Sequence, residues 1–188
     1  MTRRGLCLLR PFNGKRPVIH PEAYVDPEAV VIGDVEVGEG SSIWPCVVIR
    51  GDLSKVVIGR FTAVEDGVLI HGGGDPAQEP IKPIPVVIGD HCTIGHGAIL
   101  HSCKLESFVL VGMNAVVHTE SVIGEGSIVA MGSVVTKGSR IPPRTLVAGN
   151  PAKPVKQLGE EVYENQRRRT LFYKRLADLH REALKVID

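Results

Sequence analysis

Aliphatic residues recur at every sixth position through much of the chain. One run is Val25, Val31, Val37, Ile43 and Ile49, a second is Ile58, Val64 and Ile70, and a third is Ile88, Ile94 and Leu100. A fourth runs from Leu105 through Val111, Val117, Ile123, Val129, Val135 and Ile141 to Val147. A six-residue period fits neither the 3.6-residue helix nor the strict alternation of a half-buried strand. It fits one flat face of a triangular prism: a short strand, then a corner, with three faces making a coil of about eighteen residues. The aliphatic side chains point inward and stack coil upon coil, and each coil hydrogen-bonds to the next. Glycine often follows the aliphatic residue, as at Gly38, Gly59, Gly89, Gly95, Gly112 and Gly124, and is read as the corner where a Cβ is unwelcome. A β-sandwich with frequent turns is the competing reading, but no sandwich demands so strict a hexad.

Three breaks interrupt this register. One lies between Ile49 and Ile58 and carries Arg50-Gly51-Asp52; a second, Gly72 to Pro85, is rich in Gly and Pro and reads as an external loop. The third is a one-residue shortening between Leu100 and Leu105, just after His101. Regular repeats mostly serve packing, so breaks are where sites are sought. After Pro151 and Pro154 the pattern changes. Leu158, Val162, Phe172, Leu176, Leu179, Ala183 and Val186 form a helical apolar stripe, interrupted by Gln166 and Arg169. The expected organisation is therefore an all-β solenoid over 1–154, with an excursion at 72–85, and an α-helix over 155–188 packed on it.

Composition agrees with this. The chain has 188 residues, enough for one core, yet aromatics are only 4% of it, so stacked aliphatics must fill the interior. Net charge is +1 with no long run of one sign, which argues against nucleic-acid and membrane-surface partners. The short apolar patch in Met1 to Arg10 is too brief for a secretory signal core, and a cytoplasmic location is expected. Cys7, Cys46, Cys92 and Cys103 form no CxxC pair and read as small core or turn residues in a reducing compartment.

The candidate chemistry lies in the histidines. His71 follows Ile70 and His101 follows Leu100, so both should project the same way from equivalent positions; His96 lies two places after Ile94, near a corner. Neutral imidazole is the commonest protein ligand for zinc, and three leave a coordination position open. One prism struggles to bring His96 to the ion held by His71 and His101. A threefold assembly, in which His96 from one subunit completes the neighbour's pair, would give three such sites. His20, His91, His118 and His180 lack this relationship and are read as surface or structural residues.

At these residues the sequence resembles the γ-class carbonic anhydrases and their ferripyochelin-binding-protein-like relatives, a branch of the hexapeptide-repeat superfamily. The matching elements are Trp44 through Arg50-Gly51-Asp52, Ile58-Gly59, Glu65-Asp66-Gly67 with His71, and Ile94-Gly95-His96 with His101. The [Ile/Val/Leu]-Gly-x-x-small-x hexad implies left-handed coils, whereas parallel crossovers are normally right-handed. The resemblance implies a homotrimer with His71, His96 and His101 as metal ligands, His96 coming from the adjacent subunit. The metal implied is zinc, with iron(II) and cobalt as alternatives. Arg50 and Asp52 are expected to form an intersubunit ion pair beside the site, and Tyr173 to approach the metal from the helix. The implied reaction is reversible hydration of CO2 to bicarbonate by a metal-bound hydroxide.

Two departures matter. Where the family usually reads Asn-x-Gln-Asp, this chain reads Ala63-Val64-Glu65-Asp66. Ala63 can do nothing polar. Glu65 could accept a proton, ligate the metal, or hold the bound water's proton. Asp75 and Glu79 are further candidates for proton relay. Two alternatives therefore stay open: a non-catalytic metal-binding or scaffold member of the family, and a coenzyme A-dependent acyltransferase, since Ala148-Gly149-Asn150-Pro151-Ala152-Lys153 is shared with hexapeptide acyltransferases.

Overall fold

The computed structural model describes residues 8–75 and 77–187. Cys7 and most of the Met1 to Arg10 patch lie outside them. The expected β-helix is the observed architecture: a parallel β-solenoid of about eight turns with one C-terminal helix. Its three faces carry three inward columns. One is Ile49, Ile70, Leu100, Val117 and Val135; the next is Val37, Ile58, Ile88, Leu105, Ile123 and Ile141; the third is Ile43, Val64, Ile94, Val111, Val129 and Val147. Every one of these residues is buried. Removing such branched side chains from water is the main favourable term holding the coils together. A further column of smaller residues fills the corners. Cys92 and Cys103 sit there, and burial pushes both thiols up to about 12.

The corners are not where the glycine pattern put them. The left-handed residue follows the inward aliphatic by three positions, as at Gly67 after Val64 (φ 71°) and Gly97 after Ile94 (φ 69°). Side-chain-bearing residues also take it, including Phe61, His91 and Phe108. The glycine directly after the aliphatic serves instead for close approach. A Cβ on Gly95 would come within 2.8 Å of the Met113 backbone nitrogen in the next coil.

The three breaks in the sequence have separate structural causes. Val48–Ile58 is one strand that rounds a corner and pairs with Val30–Val37, joining two faces into one sheet, with a register shift between Gly33 and Val35. The segment expected to be a loop is a β-hairpin, Gly73–Asp75 against Lys82–Ile84, which lengthens its coil to the 30 residues between Ile70 and Leu100. The shortening after His101 gives a coil of 17 residues between Leu100 and Val117, because Ser102 takes the left-handed corner one position early.

Ala152–Gln157 folds back antiparallel on Thr145–Gly149, so the expected junction at 154/155 falls inside a strand. The helix follows at Glu161–Ile187. Its buried stripe is Val162, Gln166, Thr170 and Ala177, whereas Phe172 and Leu179, expected inside, are 55% and 67% exposed. Gln166 does not interrupt the packed face; it belongs to it. Ala177 seats on Tyr24 and Trp44, with Tyr173 and His180 packing edge-on against the Trp44 indole. Among the described residues, no helix is long and apolar enough to cross a membrane.

Candidate metal centre

Arg50, His71 and His101 occupy one register position on successive coils: Arg50 pairs with His71, and His71 with His101. The two imidazoles lie side by side, with ring centroids 5.1 Å apart. His118 continues the column, its ring 6.2 Å from His101, so it shares the relationship that the sequence reading denied it. The one-residue shortening hid this alignment.

Each imidazole is oriented by a neighbour. Asp52 accepts from His71 Nε2 at 3.0 Å through Oδ1 and from Arg50 Nη1 at 2.7 Å through Oδ2. Within the single chain, then, Arg50 and Asp52, expected to pair across a subunit boundary, engage each other, and the Gly51 between them packs so closely on the Asp34 carbonyl that a Cβ would overlap it. Burial pushes the Asp52 carboxyl up, but the His71 hydrogen bond, the Arg50 charge and the Leu53 N–H outweigh it and hold the group below its usual range. His101 Nδ1 lies 2.9 Å from Thr119 Oγ1, leaving Nε2 for a ligand. Burial, then the positive potential of His71, His118 and Arg50, lowers the His101 pKa and keeps its imidazole neutral, the form a metal requires. Gly73 completes this shell. Its N–H donates to Ser102 Oγ at 2.9 Å, and a Cβ there would sit 2.9 Å from His101 Cε1 and 3.0 Å from Nε2. Thr119 and Gly73 were not singled out in the sequence: Thr119 acts from the next coil, and Gly73 looks like part of a loop.

His96 lies apart from this pair. It stands in the turn at the opposite edge of the face that His101 closes, five residues earlier. Its ring is bracketed by carboxylates, Nε2 3.1 Å from Glu65 Oε2 and Nδ1 3.0 Å from Asp66 Oδ2. Glu65 is 5% exposed and also accepts from the His96 backbone N–H at 3.1 Å. Tyr173 donates to it from the helix, and burial followed by this carboxylate raises the tyrosine pKa. Tyr173, expected to approach the metal from the helix, thus bonds Glu65, the carboxylate that contacts the His96 ring. Asp75 is engaged with Ala77 and Gln78 within its own turn.

Among the described residues of one chain, no group of three His, Cys, Asp or Glu side chains could hold a metal ion. The donors nonetheless fit a shared site. Two neighbouring imidazoles occur at one corner, a third lies at the next corner, and between them runs a face whose outward residues Leu69 and Ile99 are 45% and 39% exposed.

Comparison with known proteins places this geometry in context. The model of the bacterial transferase hexapeptide (six repeats) matches residues 16–51. A probable carbonic anhydrase of Methanocaldococcus jannaschii is 44% identical over 150 residues, covering 80% of this chain and 89% of that protein. Mitochondrial gamma carbonic anhydrase 2 of Arabidopsis thaliana is 38% identical over 94% of this chain; the chain spans 63% of the plant protein's length. The carnitine operon protein CaiE of Escherichia coli K12 is 40% identical, covering 88% of this chain and 80% of that one. Among solved structures, a Bacillus cereus protein provisionally named an acetyltransferase superposes with a TM-score of 0.87 at 34% identity, over 95% of this chain and 99% of that one.

Proposed function

Since this chain belongs to the γ-carbonic anhydrase family of hexapeptide-repeat proteins, we propose that it is a homotrimer catalysing reversible hydration of CO2 to bicarbonate, with a metal ion, zinc or alternatively iron(II) or cobalt, held between subunits. The observation that carries this reading is the division of the imidazoles: His71 and His101 meet at one corner of an apolar face, and His96 stands at the other. A neighbour docking along Leu69 and Ile99 brings its own His96 to the pair.

The residues have distinct tasks. His71 and His101 of one subunit and His96 of the next would hold the metal, which supplies Lewis acidity that lowers the pKa of a bound water toward ~7. Thr119 fixes the ring of His101, as partners of ligating histidines do. In the single chain Asp52 and Glu65 sit on Nε2 of His71 and His96, so they yield these nitrogens when the metal binds. Glu65, released from His96 and still held by Tyr173, accepts the proton lost in hydration. Val111, Met113 and Met131 line the cleft beside Glu65 and give CO2 an apolar approach.

Stopped-flow CO2 hydration on zinc-, cobalt- and anaerobic iron(II)-loaded protein tests the activity, and light scattering tests the trimer. Removal of His96 as His96→Ala abolishes metal retention while leaving the coil folded; full metal occupancy in that variant would overturn the shared site. A second reading, acyl transfer from coenzyme A, is favoured by the likeness to the Bacillus cereus structure. It expects coenzyme A binding without stoichiometric metal. Metal-replete, inactive protein would instead indicate a scaffold, the reading that the Ala63 and Glu65 departures favour.

A further inference from the structure

A groove runs between the C-terminal helix and the sheet beneath it, away from the histidine pair. At one end it has a volume of about 490 Å³, opens beside Glu65 and has Thr93 in its lining. At the other it reaches Gln166 and Val162. Leu110, Ile128 and Arg169 line both ends, so the two are continuous. The size lies within the range of roughly 300–1,000 Å³ usual for small-molecule sites.

Two buried polar atoms open on this groove without a partner. Gln166 is 4% exposed and its Nε2 donates to nothing; Thr93 is 1% exposed and its Oγ1 is likewise unpaired. A buried polar group left unsatisfied is costly, so such atoms point to a partner that enters the groove. Arg169 adds a cation at the rim, and no ion pair engages it among the described residues. Gln166 therefore stands at one end, Arg169 and apolar side chains line the stretch between, and the Glu65 carboxylate stands with the His96 imidazole at the far end.

We propose that this groove binds a small amphiphilic carboxylate, its carboxyl group on Gln166 Nε2 and the Arg169 guanidinium and its chain along Leu110, Ile128 and Leu146. Charge fixes the orientation. Glu65 repels a carboxylate at its end, whereas the Arg169 fork can donate two hydrogen bonds to one. The Thr93 hydroxyl, left over in the floor, pairs with a polar substituent on the chain or with a water that the ligand traps. The carboxyl-binding end uses no proposed metal ligand, although His96 and Glu65 line the opposite end.

The test uses octanoate as probe, titrated calorimetrically into the full-length protein in the presence of a chelator. Saturable binding at one octanoate per chain is expected. Arg169→Gln should weaken it about tenfold, and Leu110→Trp, which fills the groove, should abolish it. Because a tryptophan at a partly buried position could disturb folding, Gln166→Leu provides a second readout: it should weaken octanoate binding while preserving the melting temperature. The proposal is overturned if octanoate shows no saturable binding, if octylamine binds as tightly, or if all three variants bind octanoate like the parent. Loss of CO2 hydration in a chelated sample that still binds octanoate separates this site from the metal centre.

Discussion

Replacing Gly73 by alanine tests the proposed metal centre without touching a ligand. Gly73 lies in an extended strand with no left-handed requirement, so alanine meets no backbone obstacle. Its Cβ would stand 2.9 Å from His101 Cε1 and 3.0 Å from Nε2, whereas carbon atoms rest at ~3.5–4.0 Å. The imidazole must therefore retreat by about 0.5–1 Å. It cannot retreat freely, because Thr119 holds Nδ1 at 2.9 Å on its other side. Metal–ligand distances tolerate only about ±0.2 Å, so the ring moves out of coordinating range. Disturbing a ligand's support typically lowers metal affinity ~10–100-fold, equivalent to ~1.4–2.8 kcal/mol. Meanwhile alanine restricts the unfolded chain, which favours folding by ~0.4–1 kcal/mol and offsets part of the local strain. The expected signature is thus a split: metal affinity, measured by competition with a chelator, falls at least tenfold, while the metal-free melting temperature hardly moves. An affinity within twofold of the parent would refute the claim that His101 Nε2 faces the ion.

Other consequences follow from the same geometry. Glu65→Gln should lower kcat for CO2 hydration about 10²-fold with metal content unchanged, because the amide cannot take the proton; unchanged kcat would assign proton acceptance elsewhere. His91 stacks between Phe61 and Phe108, and its pKa is lowered by burial and then by Arg167, with Arg60 adding to this and Asp90 opposing it. The unfolded chain therefore takes up this proton first, so the contribution of His91 to stability is complete above 6.5 and is lost as pH falls through the depressed folded value. Melting curves from pH 7.5 down to 5 should show that decline, and His91→Phe should flatten it; an unchanged slope would exclude His91 as its source. Ile94→Ala opens the fully buried column and should cost ~2–5 kcal/mol, read as a melting-temperature drop of about 4–20 °C.

The fold was legible because the hexad is a packing rule repeated many times, and each inward aliphatic reads independently of its neighbours. His71 and His101 were legible for the same reason, each following an inward residue. What escaped was whatever depended on coil length or on a second chain segment. His118 joined the histidine column only because the coil after His101 is one residue short. Thr119 and Gly73 contribute through contacts between coils, which no local pattern encodes. The helix stripe was misjudged at Gln166, Phe172 and Leu179 because hydropathy alone cannot tell a helix lying on a mixed surface from one lying on an oily core.

The placement of the helix changes how the molecule should come apart. Stacked coils touch only the coil above and the coil below, so a bare solenoid can fray from either tip. Here Val162 and Tyr163 lie against Gly126 near one end, while the Arg181 side chain donates to the Ala23 carbonyl at 2.9 Å near the other. One rod thus spans most of the stack and couples the tips, so loss of one tip must also unseat the rod from the coils between. Cooperativity in this protein is a property of its last thirty or so residues as much as of the repeat that makes up the rest.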